Sequence, residues 1–154
     1  MNRKIKGFTL IELIVVIVII VVLASVAIPI FETSVQREKE IELRRALRTI
    51  RQAIDEYKKF VEEHNIKLDK DRYDYPKTLD DLVKGIEYRD KNNKLRIKKF
   101  LRKIPKDPMT NSFDWGLRSY QDKRNSTSWG GENVWDVYTK SEKKALDGTY
   151  YKDW

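Results

Sequence analysis

The chain contains no cysteine and a single histidine, His64. The first absence excludes a disulfide-stapled fold, a cysteine-ligated metal and a cysteine nucleophile. The second excludes a multi-histidine metal site within one copy. Glycine is sparse, 6 residues in 154, and no glycine-rich loop is there to cradle a phosphate. No nucleophile–base pair stands out, which points away from an enzyme. Internal repeats and low-complexity tracts are missing too. The length suits one ordinary domain.

Charge, by contrast, is plentiful and of both signs. Lys and Arg number 32 against 24 Asp and Glu, for a net charge of +8. Arg3, Lys4 and Lys6 stand together before the first apolar run, with no acid beside them. The remaining excess is mild and gives no reason to expect a nucleic-acid partner.

From Leu13 to Ile28 the only polar side chain is Ser25. With its flanks the apolar stretch reaches about 20 residues, which at about 1.5 Å per residue spans a hydrocarbon core of roughly 30 Å. The nearby bases lie only on its N-terminal side, which leaves the start in the cytoplasm and the rest outside. Two ordinary readings fit: a secretory signal peptide cut after Ala27, or an uncleaved single-span anchor. Neither explains Glu12, a carboxylate at the start of the run that costs a few kcal/mol to bury without a partner.

Gly7-Phe8-Thr9-Leu10-Ile11-Glu12, after a short basic leader, resembles the class III signal of type IV prepilins and pseudopilins. The resemblance implies a prepilin peptidase that cuts between Gly7 and Phe8 and methylates the Phe8 amine. It implies that Glu12 pairs with the free amine of a neighbouring subunit. Opposite charges in a low-dielectric core attract strongly and relieve each other's desolvation. Pro29 falls where this family often carries a helix-kinking proline.

After Phe31 the chain turns polar. Leu43, Leu47, Ile50, Ile54, Tyr57 and Val61 recur at helical spacing and form one apolar stripe. Only Pro29 interrupts the pattern, so one helix is expected from about residue 8 to about residue 63. The bases among Arg37 to Arg51 read as a solvated face or as filament salt bridges. Thr78 and Asp81 form a capping-box start, and Gly85 a stop, for a short helix. The stretch Glu87 to Lys103, rich in Lys and Arg, reads as an exposed loop, with a polyanion surface as the other possibility. Residues 115–121 and 134–139 read as short strands. The fold class is therefore α+β: a long N-terminal helix and a small antiparallel sheet. The expected divisions are a cleaved leader over 1–7, a membrane and filament-core helix over 8–31, and a periplasmic head over 32–154.

Ile104-Pro105-Lys106-Asp107-Pro108 is similar to a connector in the pseudopilins of type II secretion, the major one in particular. That resemblance implies an inner-membrane protein, single-pass with its C-terminus in the periplasm, which polymerises into a pseudopilus. Its partners would be further copies, minor pseudopilins, and a membrane platform driven by a cytoplasmic ATPase. It also implies calcium bound in the C-terminal loop, with Asp147 and Asp153 as candidate ligands, although Lys143 and Lys144 intrude there. Alternatives are a type IV pilin for adhesion or twitching, and a DNA-binding competence pilin using the bases of Glu87 to Lys103.

Overall fold

The computed structural model describes residues 7–154, apart from the side chains at positions 26–30. The basic leader residues lie outside that description. Helix α1 runs over Leu10–Glu63, close to the bounds expected from the apolar pattern. The chain divides into two compact units, Met1–Glu38 and Lys39–Trp154.

In the first unit α1 is apolar on every side from Leu13 to Leu23. Side chains from Leu10 to Leu23 are all exposed, Leu13 at 53% and Leu23 at 66%. Among the described residues no helix is long and apolar enough to cross a membrane. The expected span continues through positions 26–30, whose side chains are not described. The kink expected at Pro29 likewise falls outside the described side chains.

In the second unit α1 buries the expected stripe. Leu43, Ile50 and Ile54 are completely buried, and Leu47, Tyr57 and Val61 nearly so. Helix α2, Leu79–Lys84, follows a capping box in which the Thr78 side chain and the Asp81 carboxylate each accept a backbone N–H. Both of its apolar anchors, Leu79 and Leu82, enter the core.

The β-structure departs from expectation. Instead of one sheet there are two antiparallel pairs. Strands β1 (Ile86–Arg89) and β2 (Leu95–Lys98) form a hairpin where an exposed loop was expected. Asp90 builds its turn: Oδ1 accepts the N–H groups of Asn92 and Lys94, and Oδ2 accepts from Arg96 Nε. Tyr88 on the inner face packs edge-on to Phe60 of α1. Strands β3 (Gly116–Arg118) and β4 (Asp136–Tyr138) make the second pair, inside the segments expected to be extended. Gly116 lies opposite Tyr138, and a Cβ at Gly116 would collide with the Tyr138 ring. Only glycine lets that ring lie across the strand.

Buried polar groups stitch these pieces together. Asp107 is fully buried. Its Oδ1 accepts from Met109 N–H at 2.8 Å, and its Oδ2 accepts from the hydroxyls of Thr110 and Thr139. The proline-flanked connector is thereby tied to the end of β4. Asn133, also fully buried, donates to the Asp71 carbonyl and Gln121 Oε1 and accepts from Tyr120 N–H. Removing a buried acceptor strands every donor aimed at it. In the unit Lys39–Trp154, Asp107→Ala should therefore cost about 3 kcal/mol in urea unfolding. A loss below about 1 kcal/mol, the size of one ordinary hydrogen bond, would show that the knot is dispensable.

Candidate functional site

The residues at the start of α1 form the first candidate site. Gly7 is exposed, and a Cβ there would meet nothing within 4 Å. Phe8 is 82% exposed. The Gly7–Phe8 peptide thus sits in open, non-helical backbone just before the helix, where a protease can reach it. Thr9 caps the helix: its Oγ1 accepts from Glu12 N–H at 3.3 Å, and its carbonyl accepts from Leu13 N–H at 3.2 Å. Thr9-Leu10-Ile11-Glu12 has the spacing of a capping box, of which the threonine half is formed. This role for Thr9 was missed in the sequence, although the Thr-x-x-Glu spacing before an apolar run was its signal. Glu12 lies in the first turn and is exposed. Its carboxylate is placed where the positive end of the helix dipole favours it. Within the described residues no ion pair involves it.

The second candidate site lies at the C-terminus. Asp147 stands in a turn whose Gly148 has φ +87°. Its Oδ1 accepts from Thr149 N–H at 2.9 Å and from Thr149 Oγ1 at 2.6 Å. Thr149 Oγ1 in turn accepts from Trp154 Nε1 at 2.8 Å. These bonds from the Thr149 hydroxyl and N–H hold the Asp147 carboxyl below the usual carboxylate range. Asp153 shares none of these partners; it lines a cleft with Arg51, Arg118 and Arg124. Among the described residues no cluster of three or more Asp, Glu or His could hold a metal ion. Of the two expected calcium ligands, Asp147 is engaged at Oδ1 by Thr149, and Asp153 lines the arginine cleft.

Tyr151 and Trp154 hold the tail against Glu40, Arg44 and Arg51 of α1. Glu40, buried on α1, accepts at Oε1 from the Tyr151 hydroxyl at 2.9 Å and from Leu146 N–H at 2.8 Å. Arg51 donates to Asp136 at 2.7 Å and to the Trp154 carbonyl at 2.8 Å. Arg44 stacks over the Trp154 ring at 4.0 Å. Tyr151 is 1% exposed. A ligand that bound only the folded state would raise the melting temperature with its concentration. The unit Lys39–Trp154 should instead melt at the same temperature in chelator and in millimolar calcium at matched ionic strength. A calcium-dependent rise that Asp147→Ala abolishes would restore the ion site. The Asp147–Thr149 bonds should also weaken in acid. A depressed carboxyl contributes stability above the ordinary carboxylate range and loses it as pH falls through the lowered value.

The prokaryotic N-terminal methylation motif matches residues 2–28. No curated protein and no solved structure matches the chain. The matched stretch contains the Gly7–Phe8 peptide, the Thr9 cap, Glu12 and most of the apolar run. Such a motif implies processing by a prepilin peptidase and assembly into a filament. Together with the long helix that follows it and the small antiparallel sheets, the motif supports a type IV pilin-like protein.

Proposed function

We propose that the chain is a structural subunit of the pseudopilus of a type II secretion system. On this reading it is processed after Gly7, held in the inner membrane, and polymerised into a periplasmic filament through its N-terminal helix. One observation carries the proposal. Behind a prepilin-type processing motif, α1 exposes apolar side chains around its whole circumference from Leu10 to Leu23. A helix that is hydrophobic all round belongs in lipid or in the core of a larger assembly. Lipid would receive it before assembly and neighbouring copies afterwards.

Two features favour the pseudopilus over an adhesive pilus. Many pilins close a C-terminal loop with a disulfide, and this chain has no cysteine. Its Ile104-Pro105-Lys106-Asp107-Pro108 connector is of the pseudopilin kind. Here that connector owes its shape to the buried Asp107 and its threonine partners. The work of assembly would come from a cytoplasmic ATPase acting through a membrane platform. The chain's own residues would supply packing, register and charge pairing, with no catalytic step among them.

The intact mass of the chain isolated from membranes or filaments should begin at a methylated Phe8. A chain beginning at Ile28 would identify an ordinary signal peptide and overturn the proposal. Glu12→Ala should still be cleaved and inserted, yet should enter filaments at least tenfold less well beside wild-type copies, because a neighbour's amine is left unpaired in an apolar core. An unchanged filament yield would remove the charge pair from the mechanism.

A further inference from the structure

Four aromatic rings that neither candidate site uses come together at the surface of the unit Lys39–Trp154. Tyr120 is at their centre. Its ring lies 5.3 Å from that of Tyr73, 5.8 Å from that of Tyr75 and 6.2 Å from that of Trp135, centroid to centroid. Tyr75 is buried and roots the cluster in the core. The other three stay open to solvent: Tyr120 is 52% exposed, Tyr73 49% and Trp135 39%. Singly exposed aromatics are ordinary, but a contiguous group of them held half out of the core marks a binding surface.

The backbone under this surface is strained and firmly held. Tyr73 and Asp74 are consecutive residues with positive φ, +50° and +65°. Asparagine and aspartate visit that region; a bulky tyrosine there is an outlier. The turn is fixed all the same. Tyr75 N–H donates to the Arg72 carbonyl at 2.9 Å. The Arg72 guanidinium donates to the Tyr75 carbonyl and to the Tyr57 hydroxyl. Tyr120 is fixed from the other side. Its N–H donates to the buried Asn133, whose amide also donates to the Asp71 carbonyl. One buried side chain thus sets both tyrosine-bearing loops. Strain that the surroundings over-determine gathers at ligand sites, and rings already fixed lose little freedom on binding.

The chemistry of the patch selects its ligand. The face of an aromatic ring is negative. The flat face of a sugar ring is a set of C–H groups polarised positive by the neighbouring oxygens, so it stacks on such rings with its hydroxyls turned to polar side chains. Lys58 Nζ is 4.5 Å from the Tyr75 centroid and 5.9 Å from that of Tyr120. It gives one donor to the Tyr75 hydroxyl at 3.4 Å, and an ammonium has others to spare. A polyanion finds no matching charge. Residues 70–74 carry two charges of each sign, and Lys58 is answered by Glu62 at 3.7 Å. Single-stranded nucleic acid also stacks on aromatic rings, but beside a positively charged groove. We infer that Tyr73, Tyr120 and Trp135 form a stacking platform for an uncharged, extended polysaccharide, with Lys58 donating to its hydroxyls. Such a platform needs no filament, since all of it lies within the unit Lys39–Trp154.

The full-length chain in detergent, which covers the exposed apolar helix, should be retained by cellulose or chitin beads. Soluble oligosaccharides of the same polymer should release it. Retention on one polymer alone would fix the sugar class. Tyr120→Ala and Trp135→Ala should each weaken binding roughly tenfold, the loss of one aromatic contact. Tyr120→Phe keeps the ring face and should bind within about twofold of the wild type. Tyr73→Asn separates binding from folding. Asparagine accepts the left-handed backbone, so this variant should melt no lower than the wild type and yet bind roughly tenfold more weakly. Phe113→Ala removes an exposed ring outside the cluster and should leave binding unchanged. The platform is overturned if neither polysaccharide retains the chain, or if Tyr73→Asn and Tyr120→Ala bind as the wild type does. Stronger retention on single-stranded DNA than on either polysaccharide would overturn it too.

Discussion

Among the described residues nothing covers the apolar surface of Leu10 to Leu23, and the demand for cover is the constraint that bears on everything else. Every side chain in the stretch is exposed although almost none of them is polar. At about 25 cal/mol per Å² of apolar surface, leaving such a helix in water is more costly than a small domain can offset. The cover must be lipid or other protein. The second unit meets the opposite condition. It closes on its own core, so that the same helix is unsatisfied at one end and satisfied at the other.

That second unit is small, and its sheets are short. Its two strand pairs cannot by themselves hold a domain together, since isolated hairpins are marginal in water. Buried polar knots supply the missing constraint. Asp107 ties the connector to the end of β4, Asn133 ties two loops, and Glu40 ties the tail to α1. Each is an acceptor or amide with its partners in place, and among the described residues no buried side-chain polar atom lacks a partner. A polar network of this kind specifies one arrangement because any partial loss strands several groups together.

The helical half of the molecule was legible in the sequence because periodicity is a property of one segment. Leu43 to Val61 repeat at helical spacing, and the stripe is buried as that spacing requires. The capping box at Thr78 and Asp81 was legible for the same local reason. The β1–β2 hairpin was not. Its outer face carries Arg89, Leu95 and Ile97, so the polar alternation of a half-buried strand is blurred, and its turn depends on what Asp90 bonds. The knots were invisible because they join residues far apart in the chain, as Asp107 and Thr139 do. The partners of the C-terminal carboxylates were hidden for a related reason. Asp147 beside Gly148 signals a turn correctly, but only the fold shows that Thr149 and Trp154 already occupy it.

At the N-terminus the cap and the processing chemistry are compatible for a reason of position. On the proposed processing, the cut falls one residue before the Thr9 cap, so the bond from Glu12 N–H to Thr9 Oγ1 survives it. What the cut adds is a positive amine on Phe8, immediately outside the end of α1. That end already carries the positive pole of the helix dipole, so the new charge is repelled there. A carboxylate in the first turn answers both charges at once. Glu12 is the acid of that turn, and every other side chain from Leu10 to Leu23 is apolar. In an apolar surrounding, an amine without this counter-charge has nowhere to be stable. On this reading the demand for a carboxylate at this one place is created by processing itself. It is met by the helix that processing releases.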